Sequence, residues 1–324
     1  MKNLIIILFC VVTTHSYSQS WKKFRPTELG VEYSYCAAYM KVDEADNSIW
    51  FGTTGYLKQF KNGEITTFKD IGEDISSNHF NFVRDIVIIN SEIYGIDQVH
   101  GLFKYSNGTT TMESTNIVSG HTIEKSQDDS LWIGLDQSTA STQSVYGYKN
   151  GNYLFYNHIN SGCFTQYVYQ VFPDSYGRIW CANWNPEYNI GAGYSVRDAQ
   201  GNWDSLLFDL DGLNTYRIKK FAQDNFGNIW CATRQGLGLY NEVTKTWTSY
   251  DKSNTNLPSE FISDLTFDNN GRMWVYLQDT AIAYSYNATD WTIYDNTNCP
   301  IDFDDVWSGM QLEIDTLGNV WTND

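Results

Sequence analysis

An all-β fold, a seven-bladed β-propeller of four-stranded antiparallel blades, is what this sequence predicts, on three observations. The stretch 217–250 reads as four short runs parted by Asp, Asn and Gly turns, the pattern of an antiparallel meander. Its last strand carries a residue pair, mostly aromatic or apolar, that recurs at Trp21/Phe24, Ile65/Phe68, Thr109/Met112, Tyr153/Tyr156, Trp203/Leu206, Trp247/Tyr250 and Trp291/Tyr294. Successive first members lie 44, 44, 44, 50, 44 and 44 residues apart. The second strand carries its own series, Trp50, Tyr94, Trp132, Trp180, Trp230, Trp274 and Trp321. A period in the mid-forties with four strands per copy belongs to propeller blades and not to helical solenoids.

In chain order, residues 1–18 read as a signal peptide. Lys2 supplies the positive end, Leu4–Val12 is an apolar run too short to span a bilayer, and Ser16 and Ser18 suit a cleavage before Gln19. Residues 19–324 form a single propeller domain. Trp21–Arg25 reads as the outer strand of a blade whose first strands come last in the chain, at Met310–Ile314 and Asn319–Trp321. Closure by an N-terminal strand removes the open sheet edge of a propeller. No third strand precedes Asp324, so either the last blade is three-stranded or the chain is shortened at its C-terminus. Six whole blades lie between, at 37–68, 82–112, 120–156, 167–206, 217–250 and 262–294.

Turn chemistry sorts the two faces of the disc. First turns of the form Asp-x-x-Gly occur at Asp174–Gly177, Asp224–Gly227, Asp268–Gly271 and Asp315–Gly318. Asp caps such a turn and Gly supplies a positive φ. Asn62-Gly63, Asn107-Gly108 and Asn150-Gly151 are strong hairpin signals between third and fourth strands. Because strand direction alternates, both series fall on one face. The opposite face holds the inter-blade connections and the second-to-third strand loops, which vary in length and content. Irregular groups on a rigid frame mark that face for binding.

The formal net charge is −17. Such a surface repels phosphate backbones and anionic lipid, so nucleic acid is not an expected partner. No segment after the leader is apolar enough for membrane insertion. With the leader, this predicts a protein exported to the periplasm or the exterior.

The repeat tryptophans read as packing between sheets, since a ligand platform would not recur blade after blade. The Asp-x-x-Gly turns lack the alternating acids and terminal Glu of a calcium loop, so no metal and no cofactor is expected. After the leader come His79, His100, His121 and His158. His79 and His100 are the candidates for metal binding or proton transfer near blade two, although neither shows ligand spacing. Elbow, zincin, phosphate-loop and Cys-x-x-Cys motifs are missing from the sequence. Cys181 and Cys231 each follow the repeat Trp and read as small buried apolar residues. A disulfide between Cys36 and Cys299, in consecutive connections of a closed ring, would pin the closure. The ligand-binding candidates are Tyr35, Phe80, Trp184, Tyr216, Arg217, Arg234, Phe261 and Trp307, rings and cations in the variable loops. Such groups round a funnel suit a glycan or peptide.

The run Asp224-Asn-Phe-Gly-Asn-Ile-Trp230, then Gly236-Leu-Gly-Leu-Tyr240 and Trp247-Thr-Ser-Tyr250, resembles the two-component-regulator propeller repeat. Asp251–Ile262 looks like that family's inter-blade linker. The resemblance covers 21–324, closest at 217–294 and weaker at 82–156. It implies an extracytoplasmic sensor propeller whose matching positions are structural. The family's kinase and membrane helix have no counterpart here, so its signalling half does not carry over. The blade pattern is also similar to that of streptogramin lyase propellers, which work through loop His and acidic groups with magnesium. Only His79 and His100 could serve that chemistry, and no specific motif places them.

The expectation is an exported, non-catalytic binding or sensor propeller for an extracellular small molecule, glycan or peptide, or for another exported protein. The alternative is a propeller enzyme, lyase-like or polysaccharide-active, using loop histidines and a divalent metal.

Overall fold

The computed structural model describes residues 7–11, 20–24, 39–53, 56–68, 83–97, 100–114, 117, 119–135, 144–157, 160–163, 167–183, 193–206, 212–213, 215, 217–301, 303 and 311–323. These form an all-β propeller of four-stranded antiparallel blades, with no α-helix among them. Six sheets follow one another at 40–68, 83–114, 120–156, 168–206, 218–250 and 262–294, each with its strands side by side in sequence order. The first strand of each blade lies innermost, against the first strands of its neighbours.

A further sheet draws on both ends of the chain, in the order Ser20–Phe24, Ile7–Val11, Val320–Asn323, Leu312–Ile314. Seven blades, the last closed by the N-terminal strand, were the expectation. The structure corrects this to six blades, each from one continuous stretch, and a composite sheet that closes the ring. Leu312–Ile314 and Val320–Asn323 supply two strands of this sheet, and an outer edge left unpaired would be exposed. Ile7–Val11, a β-branched and aromatic run, takes that place with Phe9 opposite Trp321 and Cys10 opposite Val320. Ser20–Phe24 then adds outside it, with Trp21 opposite Cys10. Ser20–Phe24 is outermost, as expected, and the closing sheet has four strands, where a three-stranded blade was one of two alternatives. Its third comes from the stretch read as a leader.

Turn chemistry follows the sequence closely. Asn62-Gly63, Asn107-Gly108 and Asn150-Gly151 all take positive φ at both residues, the mirror-image turn that matches strand twist. Each Asp of the Asp-x-x-Gly turns accepts the backbone N–H groups two and four residues on, for example 2.9 Å each from Asn270 and Arg272 to Asp268 Oδ1. Its other oxygen accepts the indole N–H of the repeat tryptophan, at 2.8 Å in Asp174–Trp180, 3.0 Å in Asp224–Trp230, 3.1 Å in Asp268–Trp274 and 3.0 Å in Asp315–Trp321. A cation or amide four residues on completes each set: Arg178, Asn228, Arg272 or Asn319. With both oxygens so occupied, these turns are caps.

The tryptophans pack from blade to blade. Trp50 lies among Val83, Ile86 and Phe103 of the second blade, and Trp132 among Val168, Val171 and Ile179 of the fourth. Trp230 lies against Leu265, Met273 and Val275 of the sixth blade. Trp321 of the composite sheet packs on Met40, Ile49 and Phe60 of the first, its ring edge-on to Phe60 at 5.7 Å. One large buried ring per junction is what gives a quasi-repetitive array a continuous core.

Candidate functional site at the axial mouth

In five blades the first strand carries one residue more than its partner near the strand start, and the ladder skips Arg84, His121, Tyr169, Lys219 and Ser263 in turn. A bulge bends the strand and re-aims the side chain of the extra residue. The inter-blade connections and second-to-third strand loops arrive at this same end of the strands. Successive bulge residues meet: the rings of His121 and Tyr169 are 5.4 Å apart, and Lys219 Nζ donates to the Tyr169 hydroxyl at 2.8 Å.

One residue further along, the side chains tie neighbouring blades together round the axis. Asp85 accepts the Ile123 N–H at 2.9 Å, and Gln170 accepts the Phe221 N–H at 2.6 Å while donating to its carbonyl at 3.3 Å. Asp264 accepts the Leu312 N–H at 2.7 Å, and Gln311 accepts the Met40 N–H at 3.0 Å, which joins the composite sheet to the first blade. Lys220 is ion-paired with Asp264. Deeper still, Lys41 Nζ sits 2.8 Å from Glu124 and 3.3 Å from Glu313. Burial raises the Asp85 carboxyl to about 7 against the pull of Lys41, and burial likewise raises Glu313. For Lys41 itself burial works downward, but Glu124, Glu313 and Asp85 overcome it and hold the ammonium well above its usual range. This charged layer stitches the blades together beneath the mouth.

At the mouth itself, blade five brings three cations together. Arg217 precedes its first strand, Lys219 is the bulge residue, and Arg234 stands on the tight loop between second and third strands. Tyr169, Arg217, Ile218, Lys219 and Arg234 line one small recess. The Arg234 N–H donates to the Arg217 carbonyl at 3.3 Å, and its guanidinium lies 4.7 Å from the Phe261 ring centre. Lys219 Nζ lies 4.0 Å from the Tyr169 ring centre and 5.7 Å from that of Phe261. The loop is held rigidly. Gln235 N–H donates to Thr233 Oγ1 at 3.0 Å and Gly236 N–H to the Glu260 carbonyl at 2.7 Å. Gly236 has φ +99, and a Cβ there would stand 2.1 Å from the Tyr250 carbonyl oxygen, so no other residue fits.

Lys41, Lys61, Lys104, Lys149, Arg178, Lys220, Lys245 and Arg272 each have a carboxylate partner. Among the described residues, Lys219 and Arg234 have none; their neighbours are aromatic rings. Arg197, over the Trp132 ring, likewise has no carboxylate partner among the described residues; what sets Lys219 and Arg234 apart is that they stand together at the mouth.

Of the sequence-based candidates, Arg217, Arg234 and Phe261 are thus brought together. Tyr35, Phe80, Trp184, Tyr216 and Trp307 lie outside the described residues, as does His79. His100 is described, and is oriented by Asp97, whose Oδ1 lies 2.7 Å from both its Nδ1 and its backbone N–H. No group of three or more His, Cys, Asp and Glu placed to hold a metal occurs among the described residues. Cys181 and Cys231 are buried, and burial raises both thiols. Cys36, and with it the pairing to Cys299, falls outside the described residues. Sequence reasoning missed Lys219 and Tyr169, because a bulge residue inside a strand looks like any other polar position of the alternation. A wider depression of about 470 Å³ lies elsewhere, near the outer strands of the third and fourth blades at Leu154, Phe155 and Trp203.

No known family profile and no curated protein matches the chain. Solved structures do. The extracellular domain of the hybrid two component system BT3049 from B. thetaiotaomicron superposes with a TM-score of 0.66 at 15% identity, over 88% of this chain and 38% of that one. This chain therefore spans about two-fifths of that neighbour's length. Virginiamycin B lyase from Staphylococcus aureus gives 0.65 at 10% identity, over 88% and 93% of the two chains. YCF48 bound to D1 peptide gives 0.58 at 12% identity, over 88% and 90%. No helix among the described residues is long and apolar enough to cross a membrane. With an extracellular domain of a two component system and a lyase alike among its structural neighbours, the chain is a β-propeller, and its task is a matter for its own residues.

Proposed function

We propose that the protein is an exported, non-catalytic binding or sensor-type propeller that takes a glycan or peptide ligand through the inter-blade and second-to-third strand loops of the mouth face. The observation that carries this reading is the convergence of Arg217, Lys219 and Arg234 with Tyr169 and Phe261 on rigid strand ends. Propellers host unrelated tasks, so the fold adds only a scaffold. A propeller neighbour bound to a peptide, YCF48 with D1 peptide, is in keeping with it. Export rests on the leader: N-terminal sequencing of protein recovered outside the cytoplasm should begin at Gln19. Since Ile7–Val11 stands between Ser20–Phe24 and Val320–Asn323 in the closing sheet, a start at Met1 would instead assign that segment to the fold.

The binding reading is tested by screening purified protein on glycan and peptide arrays, with affinity measured by calorimetry. Binding at micromolar concentration or tighter, lost on changing mouth residues, supports it; the absence of any ligand on both arrays removes it. A second reading, a lyase-like enzyme, is favoured by one feature, the carboxylate-oriented imidazole of His100. Turnover with added divalent metal, abolished by His100→Ala, would establish that reading in place of the first.

A further inference from the structure

Resting on the binding reading, we infer that the blade-five mouth is a carboxylate site, and that its ligand is an otherwise neutral oligosaccharide ending in a single uronate. The recess offers an ammonium and a guanidinium from a rigid frame, Lys219 on the strand bulge and Arg234 on a loop fixed by Gly236, with Arg217 in its lining. A guanidinium presents a planar fork that meets a carboxylate with two parallel hydrogen bonds. Here Lys219 and Arg234 stand over the rings of Tyr169 and Phe261 with no carboxylate partner among the described residues, whereas the cations beneath and around them are paired. A cation already stacked on a ring is oriented and partly dehydrated, which lowers the cost of receiving an anion.

The rest of the surface decides what carries that carboxylate. With a net charge of −17 the protein repels a polyanion along its length, and attraction is confined to the mouth. A ligand with one anionic group fits that field and a densely charged chain does not. Strand addition would bring a peptide to an outer sheet edge, where main-chain groups are open. The cluster instead sits at the start of the innermost strand, which pairs with its own blade on one side and at Phe221 is engaged by Gln170 of the neighbouring blade on the other. What it offers beside the cations is ring surface, which suits the flat apolar face of a pyranose.

The experiment uses the full chain and three probes: a tetrasaccharide ending in one uronate, the same compound as its methyl ester, and an N-acetylated peptide of neutral side chains with a free C-terminal carboxylate. Wild type should bind the uronate at least tenfold more tightly than the ester, with affinity falling as salt rises. Arg234→Ala and Lys219→Met should each weaken uronate binding at least tenfold, so that most of the preference over the ester is lost. Arg234→Lys should restore only part. Arg234 is exposed and Lys219 partly so, and an unchanged melting temperature certifies the fold. Equal affinity for uronate and ester would overturn the carboxylate assignment while leaving the binding reading intact. Tighter binding of the peptide would replace the sugar with a peptide terminus. Failure of these probes together with both arrays removes the binding reading itself.

Discussion

On one face of the disc Asp174, Asp224, Asp268 and Asp315 perform the same task four times, each capping a turn and holding the indole of its own blade. On the other face the bulge residues Arg84, His121, Tyr169, Lys219 and Ser263 share a position and no chemistry. Both positions recur in register from blade to blade. What differs is whether the side chain at the repeated position is needed by the blade itself. A cap that satisfies two N–H groups and a buried indole cannot vary without loss, whereas a bulge residue aimed at the axis is free to serve a ligand.

Substitutions at the two faces should therefore separate stability from binding. Asp268→Ala carries the largest expected effect. It removes the acceptor of the Trp274 indole and leaves the buried Arg272 without its partner, at a cost of about 3–5 kcal/mol read by urea denaturation. Asp128, the solvent-exposed turn acid of the third blade, binds Lys149 and Ser130 instead, and Asp128→Ala should cost less than about 1 kcal/mol. Equal losses at the two sites would break the distinction between an indole-holding cap and an ordinary surface turn.

Asp85, between the faces, should give a pH signature. Its folded pKa, about 7, stands above that of an unfolded aspartate, so the native state binds the extra proton between about pH 4 and pH 7. Its contribution is thus greatest in acid and declines as pH rises through that window, with a slope of at most about 1.4 kcal/mol per pH unit, then levels off. Asp85→Asn, which keeps an acceptor for the Ile123 N–H, should flatten that part of the stability profile. A profile unchanged by the substitution would show that Lys41 holds the carboxylate ionised.

The smallest expected effect lies at the mouth. Arg234→Ala should change stability by no more than about 0.5 kcal/mol, since an exposed guanidinium over a ring is the only contact removed. A loss of several times that would make Arg234 a structural residue and remove it from the binding site.

Much of this was legible beforehand where one residue type answers a local need. The Asn-Gly hairpins, the Asp-x-x-Gly caps and the tryptophan series each announce themselves through φ, a side-chain acceptor or a buried ring, and they recur. The trio of Arg217, Arg234 and Phe261 was legible only as members of a longer set of loop residues. Lys219 and Tyr169 were not legible at all, because the two-residue alternation conceals which strand position is bulged.

The sequence by itself determined the repeat, the turn face and the packing ring at each blade junction, since these depend on contacts within one blade or with the next copy of it. Tertiary structure alone decided that Ile7–Val11 stands opposite Val320–Asn323 in the closing sheet, and which side chains share the axis, as Lys41 does with Glu124 and Glu313. Those meetings join residues 83 to more than 300 positions apart, and they follow from the curvature of the whole disc, which no local pattern encodes.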